Sequence, residues 1–301
     1  MAEADSAVVT RLDAAYCIGL LPRRDPQGHK GTFGTVLCVA GSLGYLGAAI
    51  LTTTSSARGG AGLVALVVPS RLQSFVAGRV PEVVTIGLQE STDGSDIDEQ
   101  SAFGRAIDRH PDCVVFGPGI DETEGYRLLL LRMLADFGGP MVIDGGGLNL
   151  LARSPTWWTG TRGECVLTPH PGEFERLTGT PLGAEDSERQ LACAAAASRF
   201  RQVVVLKGAQ TVIAGPDGRM AVSPFANPAL ATAGSGDVLA GLIGALLAQG
   251  VSPFDAACLG VYLHGRAGER LAWRFGDAGL IASDLPLEIA LARHELSAHS
   301  S

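Results

Sequence analysis

The stretch LATAGSGDVLAG (230–241) places one acidic residue, Asp237, between a glycine-rich turn and an apolar run. A turn of this kind at the start of a helix leaves backbone N–H groups unpaired, and with the helix dipole they form an anion site. The small residues Gly234, Ser235 and Gly236 allow a phosphate to approach closely. Asp237 is placed to take a proton from a hydroxyl while the amides hold the phosphoryl group that the hydroxyl attacks. The alternative is that Asp237 only stabilises the first helical turn.

Lys207 is a candidate for phosphate binding, because it follows an apolar run and precedes a glycine. An ammonium group at such a place reaches a bound phosphate as a point charge. Only two of the 23 basic residues are lysines, Lys30 and Lys207, and a glycine follows each of them. The alternatives are an ordinary surface lysine, or a segment that contacts a ligand through its backbone.

The segment TPHPGEFERL (168–177) places His170 between two prolines, after a strand and before a helix that begins at Pro171. Open α/β sheets bind ligands in a crevice at the carboxyl ends of their strands, so this imidazole is placed to contact a ligand. A histidine packed in the turn with a satisfied hydrogen bond is the alternative. Glu173, in the first helical turn, is expected either to organise Mg²⁺ through water or to cap the helix.

Two glycine-containing turns let a ligand approach the backbone. GSLGYLGAA (41–49) leads into a helix whose first turn, at Gly47 and Ala48, is able to face an anion, and Tyr45 is able to stack on a ring. Close packing against a neighbouring helix is the alternative reading of these small residues. GPGI (117–120) follows a strand and carries little information alone.

These candidates lie between apolar runs that alternate with helical segments. Most of the runs are continuously apolar, as in strands covered on both faces of a parallel sheet. They are 35–41, 62–69, 82–88, 113–119, 141–147, 165–170 and 203–208. Helices are predicted at 47–58, 124–137, 184–200, 237–249, 253–273 and 284–294. TVIAGP (211–216) and MAVSPF (220–225) predict a hairpin. The pattern predicts an α/β sandwich with a mostly parallel central sheet and an antiparallel edge hairpin.

Several of these motifs together resemble the ribokinase-like superfamily, and more closely its ADP/ATP-dependent NAD(P)H-hydrate dehydratase family. The matching stretches occur in the family's order, and they are HKGTFGTVLCVAGSLGYLGAAIL (29–51), FGPGI (116–120), VLTPHPGEFERL (166–177), VVVLKGAQTVI (203–213) and NPALATAGSGDVLAGLIGALLAQG (227–250). The resemblance covers about residues 28 to 270 and implies a three-layer α/β/α sandwich. It further implies that ADP or ATP phosphorylates the C6 hydroxyl of the S epimer of hydrated NADH or NADPH. Loss of phosphate then restores the dihydronicotinamide.

The resemblance also implies a role for each matching residue. Asp237 matches the general base, which also contacts the substrate. The positions matched to the nucleotide are Lys207, Gly208, Ala209, Gln210, Thr211, Gly234, Ser235 and Gly236. The positions matched to the substrate are Ala48, Gly119 and His170, while Asp144 and Asn149 are expected to position water or substrate. One position departs from the family, because Gly146 stands where a second aspartate is usual.

Composition excludes several classes of function. A net charge of −8 with 23 basic residues offers no cationic stripe for nucleic acid. The six cysteines form no CxxC pair and are expected to be reduced, as in a cytoplasmic protein. The acidic start of the chain does not resemble a signal peptide. The uncharged run 238–254 is expected to be a buried helix rather than a membrane span.

Two rival functions stay open at this point. One is a small-molecule kinase on the same scaffold, acting on a sugar or vitamin precursor, whose product keeps its phosphate; the other is a catalytically silent nucleotide-binding protein, which Gly146 makes conceivable. TPHPGE and HKGTFGT favour the dehydratase, and an intact Asp237 argues against the silent protein.

The resemblance completes the expectations for organisation and partners. Residues 1–27 are expected to be an N-terminal extension and residues 28–296 the dehydratase domain. The expected cofactors are ADP or ATP with Mg²⁺. The expected partners are the hydrated dinucleotide, a separate NAD(P)H-hydrate epimerase and further copies of the chain in a homotetramer, with no membrane and no nucleic acid.

Overall fold

The central feature of the computed structural model, which describes residues 9–91 and 94–298, is one twisted sheet. Its strands are β1 Val9–Arg11, β2 Thr35–Val39, β3 Leu63–Pro69, β4 Val84–Leu88, β5 Cys113–Phe116, β6 Met141–Ile143, β7 Cys165–Leu167, β8 Val203–Leu206, β9 Val212–Ala214 and β10 Met220–Val222. Their order is β1-β10-β9-β8-β7-β6-β5-β2-β3-β4. β9 is antiparallel to β8 and β10, and the other pairs are parallel.

Helices cover both faces of this sheet. One face carries α1 Ala14–Ile18, α2 Leu46–Arg58, α3 Gln73–Ala77, α9 Ser235–Ala248, α10 Pro253–Phe275 and α11 Leu285–Ala298. The other face carries α4 Glu99–Ile107, α5 Glu124–Asp136, α6 Gly146–Ala152, α7 Pro171–Thr178 and α8 Asp186–Phe200. Alternate residues of each buried strand enter opposite cores; Val36 and Leu37 of β2 are an example. The predicted three-layer α/β fold with its antiparallel hairpin is confirmed.

The amino-terminal part of the described chain joins these layers. β1 pairs in parallel with β10, outside the hairpin, and the sequence did not predict this strand. Leu12 and Cys17 are buried in the core that α9 and α10 also form. The division of the chain at residue 28 stays a prediction. Within the described residues, no helix combines the length and apolarity needed to cross a bilayer.

The helix that carries Asp237 is fixed by a close contact between α9 and α2. The hydroxyl of Ser55 donates to the carbonyl of Val238 at 2.6 Å, and that of Ser56 donates to the carbonyl of Gly241 at 3.0 Å. Gly241 permits this approach, because a Cβ there would lie 2.2 Å from the carbonyl oxygen of Thr52. The small residues of α2 therefore hold the start of α9 in register with the sheet.

Gly241→Ala tests this contact. The added methyl group forces the two backbones apart, so we expect the free energy of unfolding to fall by about 1–3 kcal/mol. Gly104→Ala in α4 is the matched control, since nothing lies within 4 Å of a Cβ at that position. The control is expected to gain up to about 1 kcal/mol. Urea denaturation measures both, and equal behaviour of the two variants would contradict the packing argument.

Candidate active site

Three polar side chains follow three neighbouring parallel strands directly. Asp144 comes after β6, Thr168 after β7 and Lys207 after β8. Their backbone N–H groups continue the ladder, since Asp144 donates to Phe116 at 3.1 Å and Lys207 donates to Pro169 at 2.9 Å. Because carboxyl ends of parallel strands share one edge of the sheet, residues far apart in sequence meet in the predicted crevice.

Lys207 is the cationic centre of this crevice. Its Nζ lies 2.8 Å from Oδ1 of Asp144 and 3.9 Å from Oε2 of Glu173, and the Thr168 hydroxyl donates to Asp144 Oδ1 at 2.8 Å. Burial alone would lower the pKa of Lys207, but Asp144, Glu173 and Asp237 outweigh it and raise that pKa. Lys207 is therefore a partly buried, charged residue with carboxylate partners and not an ordinary surface lysine.

Asp237 lies in the first turn of α9, beside Lys207. The helix begins after Gly234, whose φ of 88° is in the left-handed region that glycine adopts readily. Burial raises the pKa of Asp237 to about 7, with further upward contributions from Asp144 and Glu173 and a downward one from Lys207. An aspartate that only stabilised a helix start would be favoured as the anion. A carboxyl group that titrates near neutrality is suited to accept a proton.

A cavity of about 630 Å³ opens beside this cluster. Six of the residues matched to the nucleotide line it, namely Lys207, Gly208, Ala209, Thr211, Ser235 and Gly236. His170 also lines it, and Phe225, Leu230 and Val261 supply an apolar wall. Gln210 and Gly234 do not line this cavity, nor does Asp237 itself.

Gly236 lies where the cavity meets the charged cluster. A Cβ at Gly236 would lie 3.2 Å from Lys207 Nζ and 3.6 Å from Asp144 Oδ2. The absence of a side chain therefore leaves the ammonium group within reach of a ligand in the cavity. The amide-rich turn, the ammonium and the Asp237 carboxyl thus stand next to one another.

His170 and Glu173 cap α7 reciprocally. His170 Nδ1 accepts from the Gly172 N–H at 3.1 Å, and Glu173 Oε2 accepts from the His170 N–H at 2.8 Å. The capping role that the sequence left open for Glu173 is therefore present. Burial raises the pKa of Glu173, and Lys207 opposes that shift. About half of the His170 side chain is exposed, and a role in ligand contact stays a prediction.

Ala48 and Gly119 meet at the ends of β2 and β5. Gly119 has a φ of 64°, and a Cβ there would lie 2.6 Å from the Cβ of Ala48, so this contact requires glycine. Asn149 lies apart from the charged cluster: its amide donates to Glu122 at 2.5 Å and accepts from Arg176 at 3.0 Å. The structure therefore brings Ala48 and Gly119 together, whereas Asn149 is hydrogen-bonded to Glu122 and Arg176.

Gly146 begins α6, where the resemblance leads one to expect an aspartate. A Cβ at this position would lie 2.8 Å from Cγ1 of Ile120 and 3.0 Å from its carbonyl oxygen. Ile120 therefore leaves no room for a side chain at Gly146. Three carboxyl groups stay near Lys207 without the missing one, namely Asp144, Glu173 and Asp237.

The carboxylates near Lys207 offer oxygen ligands for a cation, but the described residues do not supply a full set of metal ligands. Among residues 9–91 and 94–298, no group of three or more His, Cys, Asp or Glu side chains is arranged to hold a metal ion. Mg²⁺ is usually held by one or two carboxylates together with substrate phosphates and water. Asp144 and Glu173 meet that requirement only when phosphates supply the other ligands.

The sequence did not single out His264, although it supports the anion-binding turn. This α10 residue is buried, and its Nε2 lies 3.2 Å from the Ser235 hydroxyl and 3.1 Å from the Ser235 carbonyl oxygen. Burial lowers the pKa of His264 to about 4, Lys207 contributes in the same direction, and the bond to Ser235 opposes it. No local motif marks His264, because its partner lies 29 positions away.

The buried neutral His264 predicts acid-sensitive stability. Because its folded pKa is below the ordinary value of 6.5, its stabilising contribution is complete above pH 6.5 and is lost as the pH falls towards 4. We expect His264→Gln to remove this part of the acid destabilisation, which amounts to about 3 kcal/mol. Thermal unfolding between pH 7 and pH 4 measures it. Parallel pH curves for the two proteins would contradict the assignment.

Comparison with known proteins agrees with this arrangement. A family model described as NAD(P)H-hydrate dehydratase matches residues 36–290, which is most of the chain. The chain belongs to the NAD(P)H-hydrate dehydratase family. The family resemblance read from the sequence motifs is therefore confirmed.

Two curated relatives of this family member differ in length. The ADP-dependent (S)-NAD(P)H-hydrate dehydratase of Xanthomonas campestris is 35% identical over 279 residues, covering 93% of this chain and 94% of the relative. The bifunctional NAD(P)H-hydrate repair enzyme Nnr of Moorella thermoacetica is 42% identical over 276 residues, covering 91% of this chain and 52% of the relative. The chain thus spans about half the length of the bifunctional relatives.

The solved structures that resemble this chain include a protein named for the same activity as the family and a more distant kinase. The ADP/ATP-dependent NAD(P)H-hydrate dehydratase of Bacillus subtilis, co-crystallised with ATP/Mg²⁺, has a TM-score of 0.82 and 30% identity, covering 96% of this chain and 99% of that one. A hydroxyethylthiazole kinase from Pyrococcus horikoshii has a TM-score of 0.59 at 16% identity. The kinase shares the fold alone with this dehydratase-family chain.

Proposed function

We propose that this chain dehydrates the S epimer of hydrated NADH and NADPH, using ADP or ATP as the phosphoryl donor. One observation carries the proposal: Asp237, a carboxyl group with a pKa of about 7, lies in the first turn of α9 near Lys207, directly after a glycine-rich turn that lines a cavity. The similarity to enzymes named for this activity supports the choice of substrate.

The chemistry follows from the positions of these groups. Asp237 takes the proton from the C6 hydroxyl, whose oxygen attacks the terminal phosphorus of the nucleotide. The phosphorus–oxygen bond to the departing nucleotide breaks, while the amides of the turn and Lys207 stabilise the negative charge. Cleavage of the C6–O bond then expels phosphate, and loss of the C5 proton restores the ring double bond.

We propose that the nucleotide binds through Lys207–Thr211 and Gly234–Gly236, of which six residues line the cavity. On the substrate side we assign Ala48, Gly119 and His170, together with Asp144, Asn149 and the base. The apolar wall of the cavity suits a purine, and the Lys207 ammonium group in the same lining suits the phosphates. Mg²⁺ bound with those phosphates would meet the carboxylates of Asp144 and Glu173 and would neutralise developing charge.

The direct test mixes purified protein with hydrated NADH, Mg²⁺ and ADP or ATP. We expect the absorbance of the dihydronicotinamide to return in proportion to the free phosphate released. Phosphorus NMR measures that phosphate. A phosphorylated product that persists would favour the small-molecule kinase. No turnover with either nucleotide would favour the silent binding protein.

Partners and setting are further parts of the proposal. A separate epimerase that interconverts the two hydrate epimers would supply the S form, and the bifunctional relatives support the association of a second repair activity. All six cysteines are free and buried, which suits a reducing cytoplasm. We also propose the homotetramer that the family resemblance implies.

A further inference from the structure

A second cavity, of about 910 Å³, lies between α11 and the segment that follows α1. Arg293 in its wall contacts Gly59 and Gln249, the residues at which α2 and α9 end. The helices of a parallel α/β fold end at the amino edge of the sheet, whereas the candidate active site lies at the carboxyl edge. The two cavities are therefore on opposite sides of the molecule.

The wall of this cavity is cationic. Arg23, Arg24, Arg293 and His294 line it, and among the residues that the structure describes no aspartate or glutamate does. The whole chain has the opposite bias, with 31 acidic and 23 basic residues. Three guanidinium groups at one concave surface therefore depart from the composition of the rest of the chain.

Arg293 is charged and partly buried, and among the described residues its hydrogen-bond partners are all neutral groups. Its guanidinium donates to the carbonyl oxygen of Gly59, to Oε1 of Gln249 at 3.0 Å and to the carbonyl oxygen of Pro22 at 3.5 Å. Burial lowers the pKa of Arg293 to about 10, and Arg24 contributes by repulsion. A buried cation without a counter-ion is costly, and a bound anion would reduce that cost.

Arg23 and Arg24 stay available to such an anion. Neither forms an ion pair within residues 9–91 and 94–298, and the Arg24 guanidinium lies 4.0 Å from the centre of the Phe33 ring. Some arginines elsewhere are paired with a carboxylate, as Arg266 is with Glu295 at 2.9 Å. The stack on Phe33 holds Arg24 in place without using its hydrogen-bond donors.

We propose that this cavity binds a small soluble molecule that carries two linked phosphoryl groups. The guanidinium groups of Arg23 and Arg24 can pair with phosphate oxygens in a bidentate manner, and the charge of Arg293 adds to theirs, so the site matches more than one negative charge. Ile18, Leu21 and Pro22 give the cavity an apolar side that suits the organic part of such a ligand. The proposal does not depend on the activity proposed above, because it concerns the other edge of the sheet.

Isothermal titration with inorganic pyrophosphate tests the proposal. The proteins are the wild type, Arg23→Gln/Arg24→Gln, and Arg79→Gln/Arg109→Gln, which removes the same charge at exposed positions outside the cavity. No ADP or Mg²⁺ is added, because ADP itself carries two linked phosphoryl groups and would occupy the proposed site. Binding in the candidate active site is common to the three proteins and cancels in the comparison. Arg293 is left unchanged because its bonds to backbone carbonyls contribute to folding.

We expect the wild type and the Arg79/Arg109 control to bind pyrophosphate with equal affinity. The Arg23/Arg24 variant should bind at least about tenfold more weakly, since it loses charge-assisted hydrogen bonds. Orthophosphate should bind the wild type at least about tenfold more weakly than pyrophosphate. Equal affinity in all three proteins, no heat with the wild type, or equal affinity for the two anions would overturn the proposal.

Discussion

Asp237→Asn is expected to lower kcat by about 10²–10⁴-fold while nucleotide affinity is kept. Asparagine has nearly the same shape, so the turn before α9 and its amides are unchanged, but the amide cannot accept the hydroxyl proton. Asp186→Asn is the matched control, because Asp186 is an exposed acid in the first turn of α8. Steady-state kinetics and nucleotide titration measure the two effects, and a normal kcat in Asp237→Asn would remove the proposed base.

The same residue fixes the expected pH dependence. Burial raises the pKa of Asp237 to about 7, and only the ionised form accepts a proton, so kcat/KM should fall as the pH drops below about 7. The free energy of unfolding depends on pH in the opposite direction to kcat/KM. The raised pKa of Asp237 stabilises the fold fully below pH 3.8, the ordinary pKa of the group, and this stabilisation is lost as the pH rises through about 7. Asp237→Asn should therefore unfold at a higher temperature than the wild type at pH 8.

Lys207→Ala is expected to weaken nucleotide affinity more than it changes the KM for the hydrated substrate. The ammonium group lines the cavity, and three carboxyl groups around it would lose their counter-charge. We expect at least about a tenfold loss in nucleotide affinity, since charge-assisted contacts to phosphate are lost. Lys30→Ala is the control, because Lys30 is exposed and also precedes a glycine. Equal losses for nucleotide and substrate would count against the assignment.

A second readout separates this role from a purely structural one. Lys207 lowers the pKa of Asp237, so its removal should move the acid limb of the kcat/KM profile to higher pH. Breaking this partly buried ion pair also costs stability, by less than the roughly 3–5 kcal/mol typical of a fully buried pair. Lys207→Met keeps much of the side-chain volume and serves where the alanine variant fails to fold. An acid limb that does not move in the folded variant would contradict the coupling.

Periodicity and turn chemistry were enough to predict most of the fold. Apolar runs identified β2 to β8, and the two short segments 211–216 and 220–225, joined through Asp217 and Gly218, identified the hairpin of β9 and β10, because both patterns are local. The three residues of β1 were missed, since a strand of that length has no periodicity to detect and is fixed by its pairing with β10. The helices α1, α3 and α6 were missed because they are too short to show periodicity, and the nine-residue helix α4 was missed as well.

The candidate site was predictable in its parts and not in its contacts. Asp144 and Lys207 were each placed at a strand end, but their ion pair joins positions 63 apart and depends on the strand order. The pairing of Asn149 with Glu122 and Arg176 likewise depends on packing between α6 and α7. His264 was missed because only the tertiary fold brings it to Ser235.

The fate of the C6 oxygen tests the central claim most directly. Hydrated NADH labelled with ¹⁸O at the C6 hydroxyl is turned over with ADP and Mg²⁺, and the products are analysed by mass spectrometry. If the hydroxyl attacks the terminal phosphorus, every released phosphate carries one ¹⁸O. Label found in water, with unlabelled phosphate, would show that the hydroxyl leaves without being phosphorylated and would contradict the account.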